Sequence, residues 1–272
     1  MHSFTANIAF LFPDRPFLDR IDAAKSAGFE KVECHFPYDL PIQIIKDRLD
    51  AAGVRLTGLN TQPGDRAKGE WGFAGVPGKE EQFRRDFAQA VDYASALGAT
   101  CIHVMAGTVP SDQRFDARRT YISNLRTAAR EITGSGLTLL LEPLNSRDSP
   151  NYLVSRSDEI AEIIAEIDQP DIRLLFDVYH IQIMEGDLIR RLEKHRSIIG
   201  HVQVAGVPNR AEPDRHNEVN YRAIFDTLSA VGYDGLVGLE YRPRGSTEAG
   251  LQWLKELGLS LNETDATQRD VR

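Results

Sequence analysis

Apolar and polar positions follow two rhythms along the chain, and the rhythms take turns. Short apolar runs of strand length occupy residues 4–10, 31–35, 54–60 and 100–105, and each is followed by a longer stretch with a helical stripe. Asp14 and Pro16 mark the first helix start, with Phe17, Ile21, Ala24 and Gly28 at helical spacing. Residues 41–52 form the next helix, ended by Gly53, and Phe83, Phe87, Ala90, Val91, Ala94 and Leu97 trace another up to Gly98. Helices are predicted over 114–133, along Ile160, Ile163, Ile164 and Ile167 with Ser155 and Asp158 at the start, and on to about residue 196. Ile224, Phe225, Leu228 and Val231, then 247–257, complete the series, while 61–78 is a long Gly- and Pro-containing loop.

The remaining strands share an ending. Residues 137–143 read Leu-Thr-Leu-Leu-Leu-Glu-Pro, too short for a helix, with a proline that stops the strand just after Glu142. Residues 172–177 end at Asp177, 236–240 end at Glu240, and 198–204 carry Gln203 one residue from the end. A carboxylate closing a buried run is costly unless a partner or a cation meets it.

Strands alternating with helices and no linker-like shift in composition predict one α/β domain, a (β/α)₈ TIM barrel over 1–258, with a flexible polar tail over 259–272. An open doubly wound sheet should carry a glycine-rich phosphate turn after its first strand, where this chain reads Leu-Phe-Pro-Asp-Arg-Pro. Strand residues alternate between barrel interior and helix layer. With Glu142, Asp177, Gln203 and Glu240 inward, their neighbours Leu141, Phe176, Val202 and Leu239 fall on the helix side, as an apolar layer requires. Active sites of such barrels lie at the downstream strand ends, so the four side chains converge on one mouth.

Three carboxylates about one centre repel unless a cation holds them, and an all-oxygen set with an amide suits Mg²⁺ or Mn²⁺. Zinc fits less well, because no cysteine pair or histidine cluster shares these positions. The net charge of −8 and the absence of a basic block argue against a nucleic-acid partner. No apolar run approaches membrane-spanning length. The N-terminal residues lack a signal-peptide pattern, and Cys34 and Cys101 make no disulfide framework, so a cytoplasmic location is expected.

Several segments together resemble the hydroxypyruvate isomerase family of the xylose-isomerase-like barrels, which includes 2-oxo-tetronate isomerases. They are Asn60-Thr61-Gln62-Pro63-Gly64-Asp65, Gly69-Glu70-Trp71-Gly72, His103-Val104-Met105-Ala106-Gly107, Glu142-Pro143-Leu144-Asn145, Asp177-Val178-Tyr179-His180, His201-Val202-Gln203 and Glu240-Tyr241-Arg242-Pro243-Arg244-Gly245. The resemblance implies a metal held at Glu142, Asp177, Gln203 and Glu240, with Glu142 and Glu240 doubling as acid and base. It implies a small keto or hydroxy acid as substrate, with hydroxypyruvate turned into tartronate semialdehyde through an enediolate. The Gly-Glu-Trp-Gly and His-Val-Met-Ala-Gly stretches resemble the tetronate branch, whereas Glu-Pro-Leu-Asn and Met-Glu-Gly-Asp at 184–187 resemble the hydroxypyruvate branch.

Around the quartet, His103 could meet a substrate oxygen or be a satisfied core histidine, and His180, three residues past Asp177, is expected at the mouth. His201 is expected one layer down, as a core or supporting group. Glu33 is open to a substrate contact or a structural pair, and Trp71 to a water-excluding lid or an anchor for its loop against a neighbouring subunit of a homo-oligomer. Among Arg210, Arg215 and Arg242, Arg242 is chosen to grip a substrate carboxylate. Ketose 3-epimerase is the neighbouring alternative, since one enediolate serves both reactions, and an abasic-site endonuclease is the alternative from another class.

Overall fold

Eight parallel strands close into a barrel in sequence order, β1 (Ser3–Asn7), β2 (Lys31–Glu33), β3 (Arg55–Asn60), β4 (Cys101–His103), β5 (Thr138–Leu141), β6 (Ile172–Asp177), β7 (Ile199–Val204) and β8 (Leu236–Leu239). This computed structural model describes residues 2–261, so of the tail predicted over 259–272 the part from 262 on lies outside the described residues. Leu259 and Leu261 still pack against the core, which carries the packed body past the expected boundary at 258. Pairing of β1 with β8, Ser3 opposite Leu236 and Ala6 opposite Leu239, closes the ring.

The helical stripes pack outside the barrel as their spacing requires. They include α1 (Phe17–Ser26), α2 (Ile42–Ala52), α3 (Glu80–Leu97), α4 (Arg114–Glu131) and α5 (Ser157–Ile167). In α5 the predicted Ile160, Ile163, Ile164 and Ile167 are all buried, each contributing about 1.5–3 kcal/mol of apolar burial. α3 stops where Gly98 takes a left-handed φ of 71°, the conformation a glycine adopts without a Cβ penalty. The start of α5 differs from expectation. Glu159 accepts from the backbone N–H groups of Ser155 and Arg156 at 3.0 and 3.2 Å, while Asp158 turns instead to Lys194 and Arg191.

Two predicted helices are broken. Residues 178–196 form α6 (Val178–Met184) and α7 (Leu188–His195), because Glu185 leaves the helix to accept from Ser157 N–H at 2.7 Å and to pair with Arg191 at 2.7 Å. After α8 (Tyr221–Ala230), residues 247–257 divide into α9 (Thr247–Gly250) and α10 (Gln252–Glu256). Three strands stop early at the mouth. The first ends at Asn7, whose carbonyl accepts from Phe10 and Leu11 N–H at 3.1 and 2.9 Å, so 8–11 is a turn. The second ends at Glu33 and the fourth at His103, freeing His35 and Met105 to line the mouth.

Candidate active site

The strand ends set the site. Glu142 follows β5 directly, Asp177 closes β6, Gln203 lies one residue from the end of β7 and Glu240 follows β8. The barrel register places Asp177 beside Gln203, and Gln203 beside Gly238. All four functional side chains are buried, and Glu142, Gln203 and Glu240 line a cavity of about 600 Å³ together with His103, His180 and Arg210. One oxygen of Asp177 is committed to the fold: Oδ1 caps α6 by accepting from Tyr179 N–H at 2.7 Å. Its other oxygen, Oδ2, has no hydrogen-bond partner, and the same holds for Glu142 Oε1 and Gln203 Oε1.

Three buried oxygens left without a donor are costly, by about 1–3 kcal/mol each and more when charged. One cation meeting all of them would remove that cost. The donor types are carboxylate and amide oxygen, the set a hard divalent ion prefers, so the residues present fit Mg²⁺ or Mn²⁺. Ligand atoms of Glu142, Asp177 and His180 also lie within 4.8 Å of one another.

The histidine differs from the acids in what it can offer. Asn145 N–H donates to His180 Nδ1 at 3.0 Å, and the Asn145 amide nitrogen lies 2.7 Å from the same atom. Nδ1 is therefore an acceptor, and the ring proton sits on Nε2. Burial, reinforced by the Arg210 charge, pushes the His180 pKa well below its ordinary value, so the ring is neutral. Its Nε2–H, 3.8 Å from both Glu142 and Asp177, is a donor suited to a substrate oxygen rather than a lone pair suited to a metal.

The acids are pushed apart electrostatically. Burial, with the Glu240 and Asp177 charges behind it, raises Glu142 well above the carboxylate range. Burial also lifts Asp177, to about 7, against the opposing pull of Arg210. At Glu240 burial acts the same way but loses to Arg210 and His35, which hold it at about 2. In the ion-free site the two carboxyl groups thus favour opposite protonation states.

Arg210 is the group that sequence reasoning passed over in favour of Arg242. Its side chain is largely buried, 2.6 Å from Glu240 Oε1 and 3.7 Å from Asp177 Oδ2, and its guanidinium stacks on Phe10 and Tyr179 at 4.8 and 5.0 Å. Arg242 lines the same cavity from its exposed rim, and Arg215 points to His216 away from it. His35, which no strand pattern singled out, reaches Glu240 Oε1 at 3.4 Å. His103 faces Glu142 Oε2 at 3.4 Å and lines the cavity, with burial lowering its pKa to about 3. Trp71 forms part of the cavity wall, with Arg66 stacked 4.4 Å over its ring and Phe36 at its edge. Glu33 lies outside that wall, bound by Asn7, His201 and Gln203.

A family model described as a xylose isomerase-like TIM barrel matches residues 21–257. The 2-oxo-tetronate isomerase of Cupriavidus necator is 44% identical over 94% of this chain and 98% of its own length. The hydroxypyruvate isomerase of Escherichia coli is 37% identical over 93% of this chain and 98% of its own. A crystal structure from Brucella melitensis, described as an AP endonuclease of family 2, is 40% identical and superposes with a TM-score of 0.91, covering 94% of this chain and 99% of that one.

Proposed function

Because this chain belongs to the xylose isomerase-like TIM barrel family, and within it to the hydroxypyruvate isomerase family of isomerases, we propose that it is a metal-dependent isomerase of a short hydroxy-keto acid. The reaction moves a carbonyl from C2 to C3 of the acid by proton transfer through an enediolate. For hydroxypyruvate the product is tartronate semialdehyde. A 2-oxo-tetronate carries the same C1 to C3 groups plus one hydroxymethyl, so the same residues serve it. That second reading is favoured by the 44% identity to a 2-oxo-tetronate isomerase and by a cavity of about 600 Å³, larger than a three-carbon acid fills.

The observation that carries this reading is the trio of unpartnered buried oxygens on Glu142, Asp177 and Gln203 beside a third carboxylate, Glu240. Mg²⁺ or Mn²⁺ held there by these four residues would supply Lewis-acid stabilisation of developing negative charge on the substrate oxygens. The protein's own groups do the rest. Glu240, held ionised by Arg210 and His35, takes the proton from the carbon beside the carbonyl. Glu142, on the wall of the same cavity, is the partner that returns a proton at the neighbouring carbon, while the hydroxyl proton passes from the C3 oxygen to the C2 oxygen. His180 Nε2–H donates to a substrate oxygen, Arg210 offers its guanidinium to the substrate carboxylate, and Trp71 helps exclude water.

An abasic-site endonuclease, the description borne by the Brucella structure, calls for a nucleic-acid groove that a chain of net charge −8 without a basic block is poorly suited to form. The test is NMR in D₂O with hydroxypyruvate, 2-oxo-tetronates and free ketoses, beside an abasic-DNA incision assay. Solvent deuterium entering at the carbon next to the carbonyl of a keto acid is the expected result. Turnover only of ketoses, or incision of DNA without isomerisation, would overturn the proposal.

A further inference from the structure

An amide side chain has two faces, and only one can bind a cation. Gln203 serves a metal through its carbonyl oxygen, while its NH₂ group turned inward would repel the ion. Something must decide between the two orientations, which differ little in shape.

Beneath the cavity a chain of hydrogen bonds makes that decision. Ala9 N–H donates to Asn7 Oδ1 at 3.1 Å, which turns the Asn7 NH₂ toward Glu33 Oε1, 3.1 Å away. Gln203 Nε2 donates to that same Glu33 oxygen at 2.7 Å. His201 Nε2 meets Glu33 Oε2 at 2.8 Å. Glu33 is thus surrounded by donors on three sides, and a carboxylate there can only accept. With its nitrogen committed to Glu33, Gln203 has Oε1 left, and that oxygen is buried and unpartnered.

The barrel is shaped around this pair. Asn7 and Glu33 are register partners across β1 and β2, and Gln203 faces Gly238 across β7 and β8. A Cβ at Gly238 would stand 2.5 Å from Glu33 Oε1 and 2.9 Å from Gln203 Cγ, so the glycine leaves the room in which they meet.

We propose that Glu33 is a positioning residue that locks the Gln203 amide with its oxygen toward the metal, with Asn7 and His201 holding Glu33 to that task. This rests on the reading of Gln203 as a metal ligand. The test is Mn²⁺ binding alone, followed by the EPR signal of the free ion, in the full chain and in Glu33→Ala, Gln203→Ala and the double variant. Thermal melts verify folding, and Glu33→Gln repeats the cycle with a residue of the same shape. Loss of a supporting partner weakens metal binding roughly 10–100-fold. Glu33→Ala is expected to show that loss, and to show no further loss once Gln203 is Ala. Additive losses in the double variant, with either residue at 33, would mean that Glu33 acts independently and would overturn the proposal. If Gln203→Ala weakens binding and Glu33→Ala does not, the Glu33 assignment alone fails. If Gln203→Ala leaves binding unchanged, the ligand reading fails first.

Discussion

Arg210 and Glu240 meet at 2.6 Å inside the cavity, and the same guanidinium lies 3.7 Å from Asp177. It is the positive charge that the acidic cluster faces before any ion arrives, and it holds Glu240 at about 2 despite burial. Removing one member of a buried pair leaves the other uncompensated, which costs about 3–5 kcal/mol. Arg210→Met should therefore lower the melting temperature of chelator-treated protein, and saturating Mn²⁺ should recover part of the loss. Its KM for the keto acid should rise as well. Equal melting temperatures for variant and parent in chelator would count against this role.

The two acids that straddle the reaction should be separable from the fold. Glu142→Gln and Glu240→Gln keep the side-chain volume and remove proton exchange, so each should cut turnover by about 10²–10⁴-fold or more. Circular dichroism should stay unchanged. Near-normal turnover in either variant would end the paired acid–base assignment.

Metal binding should depend on pH with a definite sign. In the ion-free site Asp177 titrates at about 7 and burial raises Glu142 well above the ordinary carboxylate range, so at low pH both hold protons that must leave before an ion is bound. Glu240, at about 2, is already ionised and adds nothing. Mn²⁺ affinity should thus climb as pH rises through about 7, by about tenfold per pH unit for each proton released. Titration calorimetry in buffers of different ionisation enthalpy would count those protons. Chelation should likewise silence turnover, with Mg²⁺ or Mn²⁺ restoring it. Affinity independent of pH across that window would refute the proton release.

Gly238→Ala tests the space beneath the site. The added methyl would lie 2.5 Å from Glu33 Oε1 inside a packed barrel, an overpacking worth about 1–3 kcal/mol. Stability should fall by that amount in chemical denaturation, and Mn²⁺ affinity should fall with it. Lost stability with intact metal affinity would show that Gln203 keeps its orientation without Glu33.

Much of this site was legible in the sequence because barrel strands write their ends plainly. A short apolar run stopped by proline displays Glu142, and short apolar runs with a polar side chain at or near the end display Asp177, Gln203 and Glu240. Arg210 escaped because its depth is set by the loop after β7, and loops carry no periodicity that assigns inside or outside. His35 escaped for a related reason: β2 ends at Glu33, so nothing in the strand pattern says where the next residues turn. The break between α6 and α7 was missed because Glu185 leaves the helix for partners at Ser157 and Arg191, contacts distant in sequence. For Glu33 the sequence leaves a substrate contact and a structural pair equally open, since Asn7, His201 and Gln203 converge on it only after the barrel closes.

The peptide N–H of Asn145 on His180 has a consequence for how the site handles formal charge. A main-chain donor survives nearly every substitution at its own position, so the imidazole's tautomer is inherited with the backbone rather than with any side chain. The ring can polarise an incoming oxygen while contributing zero to the electrostatic sum. In a chamber that already balances a guanidinium against several acids, a polariser without a charge of its own leaves that balance undisturbed.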